Sequence, residues 1–297
     1  MWIASFLTYL TSECNRSEKT VQTYGFCLEQ FKAYLESKEE GLGWESVDRD
    51  IVRDWMADLM AEGNSACTVC KKLSALKTFY RFLLRRGLVK NDPVYSLQGP
   101  KKAKPLPQFV RETEMDKLLD GNYFPDTIEG LRDRLIVLMF YSTGIRRAEL
   151  YGLDWTDVDL GQRQLLVTGK RNKQRIIPFG SELYDAIVAY YNEVVKLPET
   201  KEDSKALFVN FRTGRRLTIN HIYGIVRHYL SYVTTLKKRS PHVLRHSFAT
   251  AMLNNEANLE AVRELLGHAD IATTEIYTHT TFEELKRMYN RAHPRAK

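Results

Sequence analysis

Cysteine is scarce in this chain: four in 297 residues, at positions 14, 27, 67 and 70. That is too few for a disulfide scaffold, and a reducing cytoplasm is the compartment such usage fits. Cys67-Thr68-Val69-Cys70 has the C-x-x-C spacing. A second ligand pair is missing nearby, so a zinc site is not expected and the cysteines read as small helix residues. Long apolar runs are lacking too. No stretch approaches the roughly 20 residues of a membrane-spanning helix, and no membrane association is expected. The apolar start, Met1 to Leu10, lacks the basic flank and small-residue cleavage site of a signal peptide. It reads as an amphipathic helix with Trp2, Phe6 and Tyr9 or Leu10 on one side. A G-x-x-x-x-G-K-[ST] phosphate loop is absent, as are internal repeats and low-complexity tracts.

What the chain does have is positive charge, +7 overall with a pI near 9.1, which favours a polyanionic partner. The excess is uneven. Residues 1–97 hold 13 Lys and Arg against 13 Asp and Glu, so the remainder carries the whole surplus. Within the neutral part, however, Lys71, Lys72, Lys77, Arg81, Arg85, Arg86 and Lys90 follow one another with no acid between Gly63 and Asn91. Lys77, Arg81 and Arg85 are four apart and share one helix face. A solvated face is one reading. A DNA-facing set, Lys71, Lys72, Lys77, Arg81 and Arg85, is the other, because surface helices usually mix signs to gain i,i+4 pairs.

Periodicity makes the first 97 residues helical throughout. Ser17 can cap a helix with Val21, Tyr24, Leu28, Phe31 and Leu35 on one side. Another helix covers about Asp50 to Ala61, and a fourth about Ser65 to Arg86. The fourth has Leu73, Leu76, Tyr80, Leu83 and Leu84 as its buried stripe and Gly87 as its stop. Gly99-Pro100-Lys101-Lys102-Ala103-Lys104-Pro105-Leu106-Pro107 then breaks the pattern; its prolines forbid a helix and its lysines suit a strap along a phosphate backbone. Beyond it, helices are expected at about 113–120, 129–142, 146–152, 181–195, 218–234, 241–254, 258–266 and 281–291. Two short strands, 164–168 and 174–178, flank the turn Gly169-Lys170-Arg171-Asn172-Lys173.

Chemistry gathers in the last half. Pro241-His242-Val243-Leu244-Arg245-His246, Leu265-Leu266-Gly267-His268 and Ile276-Tyr277-Thr278-His279 follow an upstream Ser142-Thr143-Gly144-Ile145-Arg146-Arg147-Ala148-Glu149-Leu150. No carboxylate cluster or cysteine cage accompanies them, so neither a metal nor another cofactor is expected. A phosphodiester is an anion, and attack on phosphorus places more charge on its nonbridging oxygens. Arg146 and Arg245 can each offer those oxygens a planar fork of donors, and His268 a further one. Tyr277 can attack. Its phenol, with an ordinary pKa of ~10, needs a proton acceptor or a cationic pocket to do so. His242 and His246 are four apart on an expected helix, which also suits zinc, but Arg245 between them and the lack of an acid argue against that. His246 and His279 read as structural hydrogen-bonding groups. Glu149 could hold a guanidinium or simply solvate a helix.

Thr143-Gly144-Ile145-Arg146, Gly169-Lys170, His242-Val243-Leu244-Arg245, Leu265-Leu266-Gly267-His268 and Ile276-Tyr277, in that order, resemble the motif set of the tyrosine site-specific recombinases. The likeness is greatest to the bacterial Xer group and spans nearly the whole chain. It implies a fold that is mainly α with a small β-sheet: a helical, SAM-like core-binding DNA domain (1–97), a basic Pro-rich linker (98–110) and a mixed α/β catalytic domain (111–297). It implies that Arg146, Arg245 and His268 bind the scissile phosphate, that Tyr277 is the nucleophile, that His242 accepts its proton and that Lys170 is the general acid. The product would be a 3′-phosphotyrosyl link and a free 5′-hydroxyl, with no ATP needed to rejoin. The implied partners are double-stranded DNA with a short inverted-repeat core site and further protomers, in a homo- or heterotetramer on two sites, with a sister recombinase and a DNA translocase as open possibilities. The segment after Tyr277, with Phe282, Leu285 and Met288, would dock into a neighbouring protomer. No arm-binding domain precedes the first helix, which favours simple core sites. Chromosome-dimer resolution is the implied task; an integrase or invertase of a mobile element, a type IB topoisomerase, an inactive DNA-binding regulator and a metal-dependent nuclease are the rivals. Two departures stand out. Arg147 and Ala148 replace an apolar residue and a serine, and Arg171 replaces a glycine, which makes Lys173 a competitor of Lys170.

Overall fold

The computed structural model describes residues 2–38, 41–102, 107–169, 172–196, 205–267 and 279–296. It divides into two compact units, 1–105 and 106–297. Residues 103–106 of the Pro-rich strap lie outside the described residues.

The first unit contains helices α1 (Trp2–Ser12), α2 (Glu18–Lys38), α3 (Arg49–Ala61) and α4 (Ala66–Arg85). Their limits follow local chemistry. The Asp48 carboxylate accepts the Asp50 and Ile51 N–H groups to start α3, and Ser65 Oγ accepts the Thr68 N–H to start α4. The core is aromatic: Phe6 meets Phe79 edge-on at 5.2 Å, and Phe31 meets Trp55 at 4.7 Å. α4 runs against both α2 and α3, so its buried surface is wider than one stripe. Leu73, Leu76, Tyr80 and Leu83 are buried as expected. Leu84 is not; it faces outward, and Val69, Phe79 and Phe82 complete the buried face instead. Of the C-x-x-C pair, Cys67 is exposed, while Cys70 donates through Sγ to Pro100 O and packs directly on Gly99.

The second unit is built around α6 (Ile128–Thr143), buried along its whole second half from Leu135 to Thr143. Around it lie α5 (Glu112–Asp120), α7 (Arg147–Gly152), α8 (Ser181–Val194), α9 (Ile219–Leu230), α10 (Pro241–Asn254), α11 (Leu259–Leu266) and α12 (His279–Ala292). Among the described residues the strands form one antiparallel sheet in the order β1 (Val158–Asp159), β2 (Gln164–Thr168), β3 (Gln174–Pro178). The two-residue β1 has no signal in the sequence. In the β2–β3 hairpin Val167 faces Arg175 and Thr168 faces Gln174, and the Gly169 N–H donates to Lys173 O at 2.7 Å. This mainly helical architecture with a small sheet agrees with the expected fold class.

The C-terminal segment packs within its own unit. Leu285, Tyr289 and Ala292 are buried against Phe248, Met252 and Leu265 of the same chain, with Met288 packed beside them. Leu285 of the apolar stripe is thus covered from within its own unit, while Phe282 and Met288 are half-buried. His293 follows, buried between the Tyr289 and Phe248 rings, its Nε2 3.1 Å from Tyr141 O.

Candidate active site

α6 ends at Gly144, whose left-handed backbone (φ 60°) turns the chain sharply. A side chain here would also collide, since a Cβ would lie 2.6 Å from a Phe248 ring carbon. Both constraints require glycine, and the turn delivers Arg146 to the N-cap of α7. There the Arg146 N–H donates to Glu149 Oε2 (2.8 Å) and Nη1 donates to Glu149 Oε1 (2.7 Å). Arg146 Nη2 donates to Gly267 O (2.7 Å).

Arg245 comes from the second turn of α10, which Pro241 opens with its missing N–H at the position where none is needed. Its Nη1 donates to Gly144 O and its Nη2 to Leu266 O, each at 2.6 Å. The residue is 9% exposed. Burial, then the nearby Arg146 and Arg175 charges, pulls its pKa down to about 10, so it is still cationic at neutral pH. Arg146 and Arg245 thus reach adjacent carbonyls at the C-terminal end of α11, where helix carbonyls lack intrahelical partners and the dipole is negative.

A third guanidinium, which the sequence reading missed, completes the cluster. Arg175, on β3, donates through Nη1 and Nη2 to the two oxygens of Glu149 (2.8 and 2.9 Å) and through Nε to Leu265 O (3.0 Å). Strand alternation carries the signal: Arg175 lies on the same face as Ile177 and opposite Val167, both fully buried. Glu149 therefore holds two guanidiniums, which resolves its open role. Burial alone would raise its pKa, but the bonds from Arg175 and Arg146 win and hold it at about 2. Three guanidiniums against one carboxylate leave two net positive charges at this spot.

His242 sits one turn before Arg245 on α10, with its ring exposed. Partial burial, followed by the charges of Arg147, Arg245, Lys238 and His246, keeps its pKa below the ordinary 6.5, so the ring is neutral at pH 7. The unusual Arg147 lies with its guanidinium 5.6 Å from the Tyr223 ring centre, and Ala148 is exposed. His246 is exposed as well; among the described residues of this unit the buried histidine is His293. Lys170, His268 and Tyr277 lie outside the described residues, as does Arg171, and so do the side chain of His279 and any contact it makes. Their flanks are described. α11 closes on Gly267 with φ 65°, immediately before His268. A Cβ on Gly169, immediately before Lys170, would lie 3.3 Å from Glu149 Oε1. Lys173 is exposed at the same turn. Among the described residues no three His, Cys, Asp or Glu side chains gather as a metal site, and no helix is long and apolar enough to cross a membrane.

The basic helix of the first unit is only partly an exposed face. Lys71, Arg81 and Arg85 are exposed and Lys77 half-buried. Lys77 Nζ donates to Tyr95 O (3.4 Å) and Arg85 Nη1 to Tyr9 Oη (3.1 Å). Lys72 needs correcting: it is 6% exposed and its ammonium lies 5.8 Å from the Trp55 ring centre, so it belongs to the interior. It sits one residue round the helix from Lys71, on the side that α3 covers.

Comparison with known proteins agrees with this arrangement. Residues 108–284 match the phage integrase family, and residues 3–87 match the phage integrase N-terminal SAM-like domain. The chain belongs to the phage integrase family, the tyrosine recombinases. It is 36% identical over 305 residues to the tyrosine recombinase XerC of Pelotomaculum thermopropionicum, covering 99% of this chain and 98% of that one. It is 38% identical over 295 residues to the tyrosine recombinase XerD of Lacticaseibacillus casei, at 99% and 98% coverage. Among solved structures, the XerH site-specific recombinase bound to a palindromic difH substrate, in a post-cleavage complex, superposes with a TM-score of 0.73 at 23% identity, covering 93% of this chain and 80% of that one. It bears on the fold alone.

Proposed function

We propose that this chain performs Xer-like site-specific recombination, cutting and rejoining double-stranded DNA without a metal through a tyrosine ester. The observation that carries the reading is the convergence of Arg146 and Arg245 on the adjacent carbonyls of Gly267 and Leu266. A phosphodiester brings one negative charge, and the five-coordinate state on the way to cleavage formally carries two. The cluster's net charge of two, fixed before the DNA arrives, opposes that build-up without reorganisation. A guanidinium has five N–H donors, and the described side-chain contacts of each arginine occupy two, so both keep donors for the phosphate.

In this reading Tyr277 Oη attacks phosphorus while neutral His242 takes its proton. One phosphorus–oxygen ester bond forms and one breaks, and the departing 5′-oxygen collects a proton from Lys170, with Lys173 at the same turn as the rival donor. His268, directly after the carbonyls that anchor the arginines, adds a donor to the phosphate. Rejoining runs the sequence backwards. Residues 1–97 would be the core-binding DNA domain, 98–110 the linker and 111–297 the catalytic domain, with Lys71, Lys77, Arg81 and Arg85 along the phosphate backbone. Likeness of 36% and 38% identity, over nearly the full length, to proteins named XerC and XerD supports reading the task as chromosome-dimer resolution in the cytoplasm. Four copies, or two copies with two of a sister recombinase, would act on two inverted-repeat sites, with a translocase as an upstream partner.

The test is incubation with a nicked suicide duplex in EDTA, followed by denaturing electrophoresis. Wild type should form a covalent adduct and Tyr277→Phe none. No adduct from either would support the inactive regulator, and inhibition by EDTA the metal-dependent nuclease. Holliday junctions formed from two sites would then separate a recombinase from a type IB topoisomerase. Crosslink mapping of the genomic site would decide between chromosomal and mobile-element roles.

A further inference from the structure

We propose that Arg175 is a positioning residue of strand cleavage: its fork fixes the Glu149 carboxylate, and Glu149 in turn aims Arg146 at the scissile phosphate. This rests on the reading of Arg146, Arg245 and Tyr277 above.

Three consecutive carbonyls end α11, and each is taken by a different arginine: Leu265 O by Arg175, Leu266 O by Arg245, Gly267 O by Arg146. The three are not equivalent. The Arg146 side chain is 35% exposed and can meet a ligand. That of Arg175 is 8% exposed, and all three of its nitrogens are committed, Nε to Leu265 O and both Nη to Glu149. Three of its five N–H donors are thus turned inward on a buried side chain, so it is placed to hold Glu149 rather than to meet a phosphate. What it does is saturate Glu149. Each carboxylate oxygen accepts one bond from Arg175 and one from Arg146, so the plane and the charge of Glu149 are fixed from two sides. With Arg175 removed, a carboxylate only 3% exposed would retain a single cation. It would then be free to turn about its remaining bonds and would take up a proton at higher pH. Arg146 would lose its fixed partner. Arg175 also ties the β2–β3 hairpin to the same carboxylate, next to Gly169 and the turn that follows.

The experiment is single-turnover adduct formation on the nicked duplex at saturating DNA between pH 5 and pH 9. It compares wild type, Arg175→Ala, Arg175→Lys, Glu149→Gln and the Arg175→Ala/Glu149→Gln double variant, with band-shift affinities alongside. Arg175→Ala should lower the first-order rate by about 10²-fold, the effect of a misplaced reacting group, while DNA affinity is unchanged. Its rate should fall off at a higher pH on the acid side than that of wild type. Arg175→Lys keeps the charge without the fork, and should recover part of the rate and the wild-type acid limb. In the Glu149→Gln background, Arg175→Ala should add less than about a twofold further loss, because the two act as one unit. A full rate and unchanged pH profile in Arg175→Ala would overturn the proposal, as would losses that simply multiply in the double variant. Should Arg175→Ala lack a cooperative melt, Arg175→Lys decides alone: a folded lysine variant cleaving at the wild-type rate throughout would overturn it. An absence of adduct with wild type would instead bring down the parent reading, and this inference with it.

Discussion

Arg295, near the C-terminus, meets three carboxylates: its Nη2 reaches Asp116 (2.8 Å) and Asp120 (2.7 Å), and its Nη1 reaches Glu182 (2.8 Å). Arg134 shares Glu182, so two cations face three anions there. Around Arg146, Arg175 and Arg245 cations are in excess: two guanidiniums bond Glu149, the third bonds only backbone carbonyls, and no other carboxylate joins them in the described contacts. The electrostatic outcome reverses too. Burial opposes the charge of Arg295, but its carboxylates overcome that and push its pKa above the ordinary value, whereas burial and neighbouring cations pull Arg245 down to about 10. The first cluster has one negative charge to spare and fastens Arg295 onto α5 and α8. The second stays short of negative charge, and a phosphate is what would supply it. Stoichiometry separates this fastening from the proposed phosphate site, which is made of the same residue type.

The comparison breaks most easily on the cationic side. Arg245→Ala should slow adduct formation by about 10²–10³-fold, the range for deleting one preorganised donor, with DNA affinity nearly intact. Arg245→Lys should recover little, because a point charge cannot reach Gly144 O and Leu266 O at once. Next in size is His242. Its pKa lies below 6.5, so the ring is neutral and able to accept a proton at pH 7, and acidification protonates it. The single-turnover rate should be flat above neutrality and fall with a midpoint below 6.5; His242→Ala should lower the plateau by about 10²-fold and erase that limb.

The anionic cluster should respond in a different quantity. Arg295→Ala should reduce stability by about 1–3 kcal/mol, read from urea unfolding, while the folded variant forms adduct at the wild-type rate. A loss of rate without loss of stability would mean that the two clusters do not differ as described. The smallest effect belongs to the first unit. Arg81→Ala should reduce the slope of log affinity against log salt by about one and leave cleavage at saturating DNA unchanged, whereas Lys72→Met should not alter the slope.

The helices were legible because apolar spacing dictates them, and the two strands and their turn because β-branched runs flank a Gly-Lys-Arg-Asn-Lys break. Where the reading slipped, a partner distant in sequence was responsible. Leu84 and Lys72 exchanged sides because α4 is covered by both α2 and α3, so its buried arc is broader than the spacing of one stripe suggests. That the α12 residues Leu285 and Tyr289 pack within their own unit was not legible, because the surface that covers them, Phe248 to Leu265, is an earlier helix pair. Arg146 and Arg245 stood out within their motifs. Arg175 did not, because its partner Glu149 lies 26 residues upstream and only the strand register brings the two together.

The most direct test of the central claim is the yield of covalent protein–DNA adduct on a nicked duplex in EDTA, measured for wild type, Tyr277→Phe and Arg146→Ala side by side. Adduct should accumulate with wild type, be absent with Tyr277→Phe and form at least about 10²-fold more slowly with Arg146→Ala. Adduct formation at the wild-type rate by either variant would contradict the account.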